Sequence, residues 1–175
     1  MTNLSHFFIT TTVSYKLTHN TMLCILTGLG SIFPDYIELA LLPKRKKDDF
    51  INHYVRGYVF SKIHRKLFHW FVPYVVVAVI AVIVEPDILR YVIAGKADSV
   101  SSIISHLFSN YRLLINYSTF FFSLGVISHI ALDSLSGKVP SINPFCKNFG
   151  ISLIKTRSIS EALFSTLLIS FLLFV

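Results

Sequence analysis

Two side chains capable of binding a metal stand four residues apart in an otherwise apolar stretch of the sequence. The stretch GVISHIALDSLSG carries His129 and Asp133, and a spacing of four residues places both on one face of an α-helix. Neutral imidazole and carboxylate are ligands that zinc and related divalent ions bind well. Ionisable side chains inside apolar helices are costly and normally face a partner, a cavity or a metal. The pair therefore predicts a polar site built into a helix bundle.

The same residue types recur at the ends of three other apolar segments. One histidine lies near the start of the first apolar segment. An aspartate and a glutamate lie near the end of the second segment, and two histidines lie at the start of the third. If consecutive segments cross a membrane in opposite directions, these positions all reach one depth, whereas His19 lies in the opposite turn and is excluded. The candidate metal ligands are His6, Asp35, Glu38, His64, His69, His129 and Asp133.

This set of donors favours a bound divalent metal over an isolated buried histidine. A divalent charge offsets the cost of burying carboxylates. The donors outnumber the three or four that a single zinc ion takes, so two metals bridged by an aspartate would use more of them. We therefore predict one or two zinc ions, with manganese as the alternative metal. His64 and His69 are five residues apart, which places them on different helix faces unless one of them precedes the helix.

Composition places the chain in a lipid bilayer. Its 175 residues are 53% hydrophobic and only 14% charged, and the mean hydropathy is +0.64, which is far more apolar than an ordinary soluble domain. The length suits one domain, residues 1–175, built as an all-α integral membrane bundle of about four to five spanning or half-spanning helices. The predicted helical segments are 4–17, 22–42, 67–84, 117–136 and 159–175, with an interfacial helix over 100–115.

The distribution of basic residues predicts the orientation. Residues 43–66 hold eight of the sixteen lysines and arginines, and residues 138–157 hold four more. By the positive-inside rule both connections face the cytoplasm, and the polar cluster lies near that side. Anionic lipid headgroups are sufficient partners for the net charge of +7, so no nucleic acid is needed to explain it.

In the last segment, SISE has the spacing of a capping box, which favours a capping role for Glu161.

Four motifs together resemble a known family. They are SHFF at His6, PDYIE from Pro34, HRKLFH from His64 to His69, and SHIALDSLSGKVPSINP from Ser128. In order and spacing they are similar to the YdjM-like family of membrane-bound, LexA-regulated metal-dependent hydrolases, over nearly the whole chain. The resemblance implies a bacterial inner-membrane protein with its site facing the cytoplasm. This chain departs from the family's PDxDH motif, because Ile37 replaces its second Asp and Glu38 stands where His is expected.

The resemblance implies metal-assisted hydrolysis of an ester or phosphoester. By analogy with the zinc-dependent phospholipases C, lipids are among the candidate substrates. A zinc-coordinated water has its pKa lowered to about 7, so no serine or cysteine nucleophile is required. Asp35 or Asp133 would bridge metals or act as general base, and Arg65 would stabilise a developing negative charge or bind lipid headgroups. Two alternatives stay open: a non-catalytic adaptor or regulator with a structural metal or a hydrogen-bonded His/Asp core, and a proton or metal conductor.

Overall fold

The computed structural model describes residues 1–42, 58, 67–88, 111–140, 142–156 and 158–174, and this part of the chain is mostly helical. Its helices are α1 (Asn3–Thr18), α2 (Thr21–Ala40), α3 (Phe71–Val84), α4 (Tyr111–Ser136) and α5 (Ile159–Phe174). A 3-10 turn, Leu67–His69, precedes α3. Between α4 and α5, strands β1 (Val139–Pro140) and β2 (Lys147–Phe149) form an antiparallel pair with an irregular register.

The first two helices form a tight hairpin because the residues between them are good helix ends. His19 adopts a left-handed conformation with φ of 49° and its amide bonds back to Tyr15. Asn20 then starts α2, since its side-chain oxygen accepts hydrogen bonds from the amides of Met22 and Leu23 at 3.0 and 3.2 Å. The turn predicted at residues 18–21 is confirmed, and it forces α1 and α2 to run antiparallel.

The central pair of helices, α2 and α4, runs in the same direction in close contact. A Cβ atom on Gly125 would lie 2.0 Å from the carbonyl oxygen of Thr27, so only glycine allows the two backbones to approach this closely. One turn further along both helices, the backbone of Ser31 contacts His129. Small residues at such crossings are typical of helix packing in membranes.

The outer helices complete an alternating bundle. The start of α3 packs against the last third of α4, and its end packs against the first third, so α3 runs opposite to α4. Helix α5 runs parallel to α1, since Glu161 meets Thr2 at one end and the Leu173 carbonyl meets Lys16 at the other. The starts of α1, α3 and α5 and the ends of α2 and α4 therefore meet at one end of the bundle.

Two helices among the described residues, α2 and α4, are long and apolar enough to cross a membrane. Their 20 and 26 residues correspond to about 30 and 39 Å of helix. The apolar helices α3 and α5 are shorter, with 14 and 16 residues. Both expose large apolar side chains, among them Ile83 and Leu167. The helical prediction thus holds in its coarse form: the described residues form five helices, and two of them are of spanning length. Four to five spanning or half-spanning helices stay a prediction.

Two boundaries differ from the sequence prediction. Helix α4 already includes residues 111–115, which we expected in a separate interfacial helix; residues 100–110 lie outside the described part. The connection 138–157 contains the β1–β2 pair, whereas the sequence indicated only a loop. The reason is physical: strands of two and three residues are too short to show an alternation of apolar and polar residues.

Candidate metal centre

Helix α4 presents the His129 and Asp133 pair to the inside of the bundle, as the four-residue spacing predicted. Both side chains are buried. The Nδ1 atom of His129 lies 2.5 Å from the carbonyl oxygen of Ser31. Because a carbonyl oxygen only accepts hydrogen bonds, Nδ1 carries the proton. In the neutral imidazole the lone pair is then on Nε2, the nitrogen a metal would bind.

This nitrogen is one of four donor atoms that converge from three elements of the fold. His69 Nε2 lies 3.0 Å from His129 Nε2, 3.5 Å from Asp35 Oδ1 and 3.4 Å from Asp133 Oδ2. His129 Nε2 in turn lies 3.8 Å from Asp35 Oδ1 and 3.7 Å from Asp133 Oδ2. We call these atoms the donor quartet. In a tetrahedral site with metal–ligand bonds of about 2.0–2.1 Å, ligand atoms are about 3.3 Å apart. These five distances, 3.0 to 3.8 Å, are close to this value.

The charge of the quartet also favours a cation. Asp35 Oδ1 is buried and has no hydrogen-bond partner among the described residues, although two imidazole nitrogens face it. Burial opposes protonation of His69, but its contacts with Asp133, Asp35 and Glu38 outweigh burial and raise the pKa of His69 to about 10. The surroundings of His69 Nε2 therefore stabilise positive charge, which either a proton or a divalent ion can supply.

Glu38 orients His69 from the side away from the quartet. Its Oε1 atom lies 2.9 Å from His69 Nδ1, and both side chains are fully buried. A carboxylate beside Nδ1 stabilises the Nδ1–H tautomer and so places the lone pair of the neutral ring on Nε2, where a metal would bind. This arrangement recurs around zinc-binding histidines. The sequence predicted Glu38 as a ligand; this contact indicates that it acts through His69.

A second group of donors adjoins the first. His6 Nε2 lies 3.2 Å from Asp133 Oδ1, and the His6 and His129 ring centroids are 3.9 Å apart. The α-amino group of Met1 contacts the same Asp133 oxygen at 2.6 Å and Ser136 Oγ at 3.0 Å. His6, His129 and Asp133 together can hold a metal ion, as can Asp35, His69 and His129. Asp133 has Oδ1 beside His6 and Oδ2 beside His69 and His129, an arrangement that would suit a carboxylate bridging two ions.

Glu161 fixes the start of α1, the helix that carries His6. Its buried carboxylate accepts hydrogen bonds from the Thr2 amide at 2.5 Å and from Ser5 Oγ at 2.8 Å. The amide of Glu161 contacts Ser158 Oγ at 3.4 Å, which is half of the predicted capping box. The predicted contact between Ser158 and the Glu161 amide therefore forms at the start of α5. The Glu161 carboxylate, however, caps the start of a different helix, α1.

We expect Glu161→Ala to destabilise the protein by about 1–2 kcal/mol, the usual cost of losing a helix N-cap interaction. Since α1 would lose its anchor to α5, the position of His6 should also loosen, and the group that contains His6 should bind metal more weakly. Thermal unfolding and metal titration of purified protein test both effects. Ser160→Ala is the matched control, because Ser160 is an exposed neighbour in the same helix turn. Equal behaviour of both variants would contradict this role of Glu161.

The structure brings five predicted ligands into one cluster, and Glu38 adjoins it. The other two predicted site residues, His64 and Arg65, lie outside the described residues, as do His53 and His106, which we expected away from the site. His19 lies in the α1–α2 turn at the opposite end, as predicted. No sequence pattern indicates the contact with the Ser31 carbonyl, because every residue has a backbone carbonyl. The five clustered ligands are His6, Asp35, His69, His129 and Asp133.

Comparison with known proteins gives no family assignment. No family model, no curated protein and no solved structure matches this chain. The motif resemblance therefore stays a hypothesis about the sequence, and the site itself has to carry the functional argument.

Access to the cluster is uneven, and this restricts where a substrate could approach. The side chains of His69, His129 and Asp133 are at most 2% exposed, whereas that of Asp35 is 16% exposed. Any small molecule or water that reaches the quartet from outside would therefore arrive on the side of Asp35. Metal sites that support catalysis keep one position open, whereas structural sites are closed by protein ligands.

Proposed function

We propose that this protein is an integral membrane, metal-dependent hydrolase of the bacterial inner membrane. Its substrate would be an ester or phosphoester at the depth of the cytoplasmic headgroups, lipids included. The observation that carries the proposal is the donor quartet, in which each carboxylate oxygen lies 3.4 to 3.8 Å from both imidazole nitrogens, and the two nitrogens are 3.0 Å apart. Its four atoms come from α2, the 3-10 turn before α3, and α4.

The roles of the residues follow from their positions. His69, His129 and Asp133 would hold the ion, and Asp35, on the accessible side, would be the ligand that gives way to a water molecule. Zinc held there would supply a Lewis acid and lower the pKa of that water to about 7. Glu38 and the Ser31 carbonyl fix the tautomers of the two histidines. Asp35, on the accessible side, is best placed to receive a proton from an attacking water. Arg65, the neighbour of His64 in the sequence, is proposed to bind the substrate's negative charge.

One observation favours the adaptor alternative. Three of the four quartet side chains are almost completely buried, and closed metal sites are typically structural. Such a protein would bind the metal with its full set of ligands and act through its surface. The alternative predicts bound metal without turnover, so one experiment separates the two functions.

The test is metal content and turnover of protein purified in detergent. Mass spectrometry gives the bound metals, and labelled phospholipids and generic phosphodiesters are then assayed after chelation and after adding back zinc or manganese. We expect chelation to remove turnover and one of the two ions to restore it. Bound metal without turnover on the whole panel would support the adaptor, and protein that binds neither ion would end the metal proposal.

The membrane orientation has its own test. We expect cysteines introduced at Lys46 and Lys138 to be labelled by a membrane-impermeant reagent only from the cytoplasmic side, because twelve of the sixteen basic residues lie in these two connections. Background labelling is controlled by Cys146→Ser, since Cys146 is exposed and Cys24 is buried. Labelling of either position from the outside of intact cells would contradict the orientation.

A further inference from the structure

The connection between α4 and α5 is docked on the end of α4, beside the metal centre. We call residues 138–140 and 142–156 the hairpin segment. The amide of Ile151 donates to the Ser134 carbonyl at 2.9 Å, and the amide of Ile154 donates to the Leu135 carbonyl at 3.0 Å. These bonds satisfy carbonyl groups that the end of a helix otherwise leaves unpaired. The hairpin segment therefore has a fixed position one residue away from Asp133.

A glycine makes this docking possible. Gly150 has a φ of +138°, and a Cβ atom there would lie 2.1 Å from the Gly137 carbonyl oxygen. The chain returns across the end of α4 at this point, in a conformation and at a distance that other residues do not tolerate. The segment is consequently held against the bundle by its backbone and by the buried side chains of Val139 and Ile154, while others of its side chains face outward.

Those outward side chains are large and apolar. Phe145 is 73% exposed and Leu153 is 72% exposed, which is unfavourable in water for side chains of this size. They do not lie on an outer helix, whose apolar surface the lipid tails would cover; they lie on a non-helical segment at the end of the bundle. The exposed apolar residues of the hairpin segment are Ile142, Phe145, Phe149, Ile151 and Leu153.

The charges of the same stretch are of one sign. Between residues 138 and 160 the sequence has four basic residues and no acidic one. Lys138 and Lys155 are described, and they stand at the two ends of the hairpin segment. Apolar side chains combined with lysines and no acids are the composition of segments that lie in the boundary layer of an anionic membrane.

We propose that the hairpin segment is a membrane-interface element that inserts Phe145, Leu153 and their apolar neighbours below the headgroups of the leaflet nearest the metal centre. Its lysines bind anionic phospholipid headgroups of that leaflet. The proposal rests on the membrane placement in the proposed function and is independent of hydrolysis. Because the segment is bonded to the residues that follow Asp133, it holds the end of the bundle that carries the metal centre at headgroup depth.

Cys146 provides a probe inside the segment. It is exposed, whereas Cys24 is buried, so a Cys24→Ala protein takes an environment-sensitive fluorophore at Cys146 alone. The full chain is reconstituted into vesicles of phosphatidylcholine with and without phosphatidylglycerol. We expect blue-shifted emission, strong quenching by lipids that carry a nitroxide near the headgroup, and protection from aqueous iodide, with all three effects larger when phosphatidylglycerol is present.

Two further proteins make the result specific. Phe145→Ser combined with Leu153→Ser removes exposed side chains only, so the fold should persist while the emission shifts to the red and iodide quenching returns. A label on Leu167→Cys in a Cys146→Ser background reports on α5, whose apolar surface should contact lipid tails if the bundle spans the bilayer. If nitroxide lipids quench the label at position 167 while aqueous iodide quenches the label at position 146, the hairpin proposal alone is overturned. An aqueous label at both positions would overturn the membrane placement itself.

Discussion

Replacing Asp133 by alanine is expected to empty the metal centre and to abolish hydrolysis while the helix bundle stays folded. Asp133 Oδ2 belongs to the donor quartet, 3.4 Å from His69 Nε2, and Oδ1 lies 3.2 Å from His6 Nε2. One substitution therefore removes a ligand from both groups. Residues that only orient a ligand typically contribute about 10–100-fold to metal affinity, so the loss of a shared ligand should be larger.

The measurement is metal affinity and turnover of the variant beside the original protein, with circular dichroism as a check on folding. Ser134→Ala is the matched control, since Ser134 is adjacent and its hydroxyl bonds to the Ala131 carbonyl of its own helix. The fold should survive Asp133→Ala, because apolar packing and close helix contacts hold the bundle. Unchanged metal affinity in a folded Asp133→Ala protein would refute the quartet as the metal site.

The number of metal ions can be read from a second substitution. His6 contacts Asp133 but is not a member of the quartet. If two ions are bound, His6→Ala should remove one of them and leave the other, so the measured stoichiometry falls from two to one. If only the quartet binds metal, His6→Ala should leave the stoichiometry at one. A complete loss of metal would mean that the two donor groups form a single site.

That the candidate ligands meet at one end of the bundle was predictable from the sequence for a definite physical reason. A helix that spans a bilayer fixes the height of each residue along it, so alternating directions bring the start of one segment level with the end of the next. His6, Asp35, His69 and Asp133 follow this rule, and the structure brings them together. The i, i+4 spacing of His129 and Asp133 likewise determined that both share one face.

The contacts that orient these ligands were not predictable in the same way. The Ser31 carbonyl and the Glu38 carboxylate fix the two histidine rings, but they depend on the rotation of α2 about its axis and on its distance from α4. That distance is set at Gly125 by a backbone contact, which leaves no pattern in a single sequence. Glu161 is similar, because SISE reveals a helix start without revealing which other helix its carboxylate meets.

Glu38→Gln is expected to weaken metal binding by about 10–100-fold, the range typical of a carboxylate that orients a metal-bound histidine. The amide of glutamine is close in shape to the carboxylate and its oxygen can still accept from His69 Nδ1–H. The charge that makes the His69 imidazole a stronger donor is lost, however. Packing around position 38 should change little, so the free energy of unfolding of the metal-free protein should change much less than the metal affinity.

The matched control is Glu161→Gln, which neutralises another buried carboxylate at the same end of the bundle but one that contacts α1 instead of His69. Metal affinity and thermal stability are measured for both variants. We expect Glu38→Gln to act mainly on affinity and Glu161→Gln mainly on stability, because one carboxylate is bonded to a ligand and the other to a helix end. If Glu38→Gln lowered stability and affinity to the same degree as Glu161→Gln, Glu38 would be a structural residue. If it removed the metal as completely as Asp133→Ala, Glu38 would be a direct ligand, as the sequence first predicted.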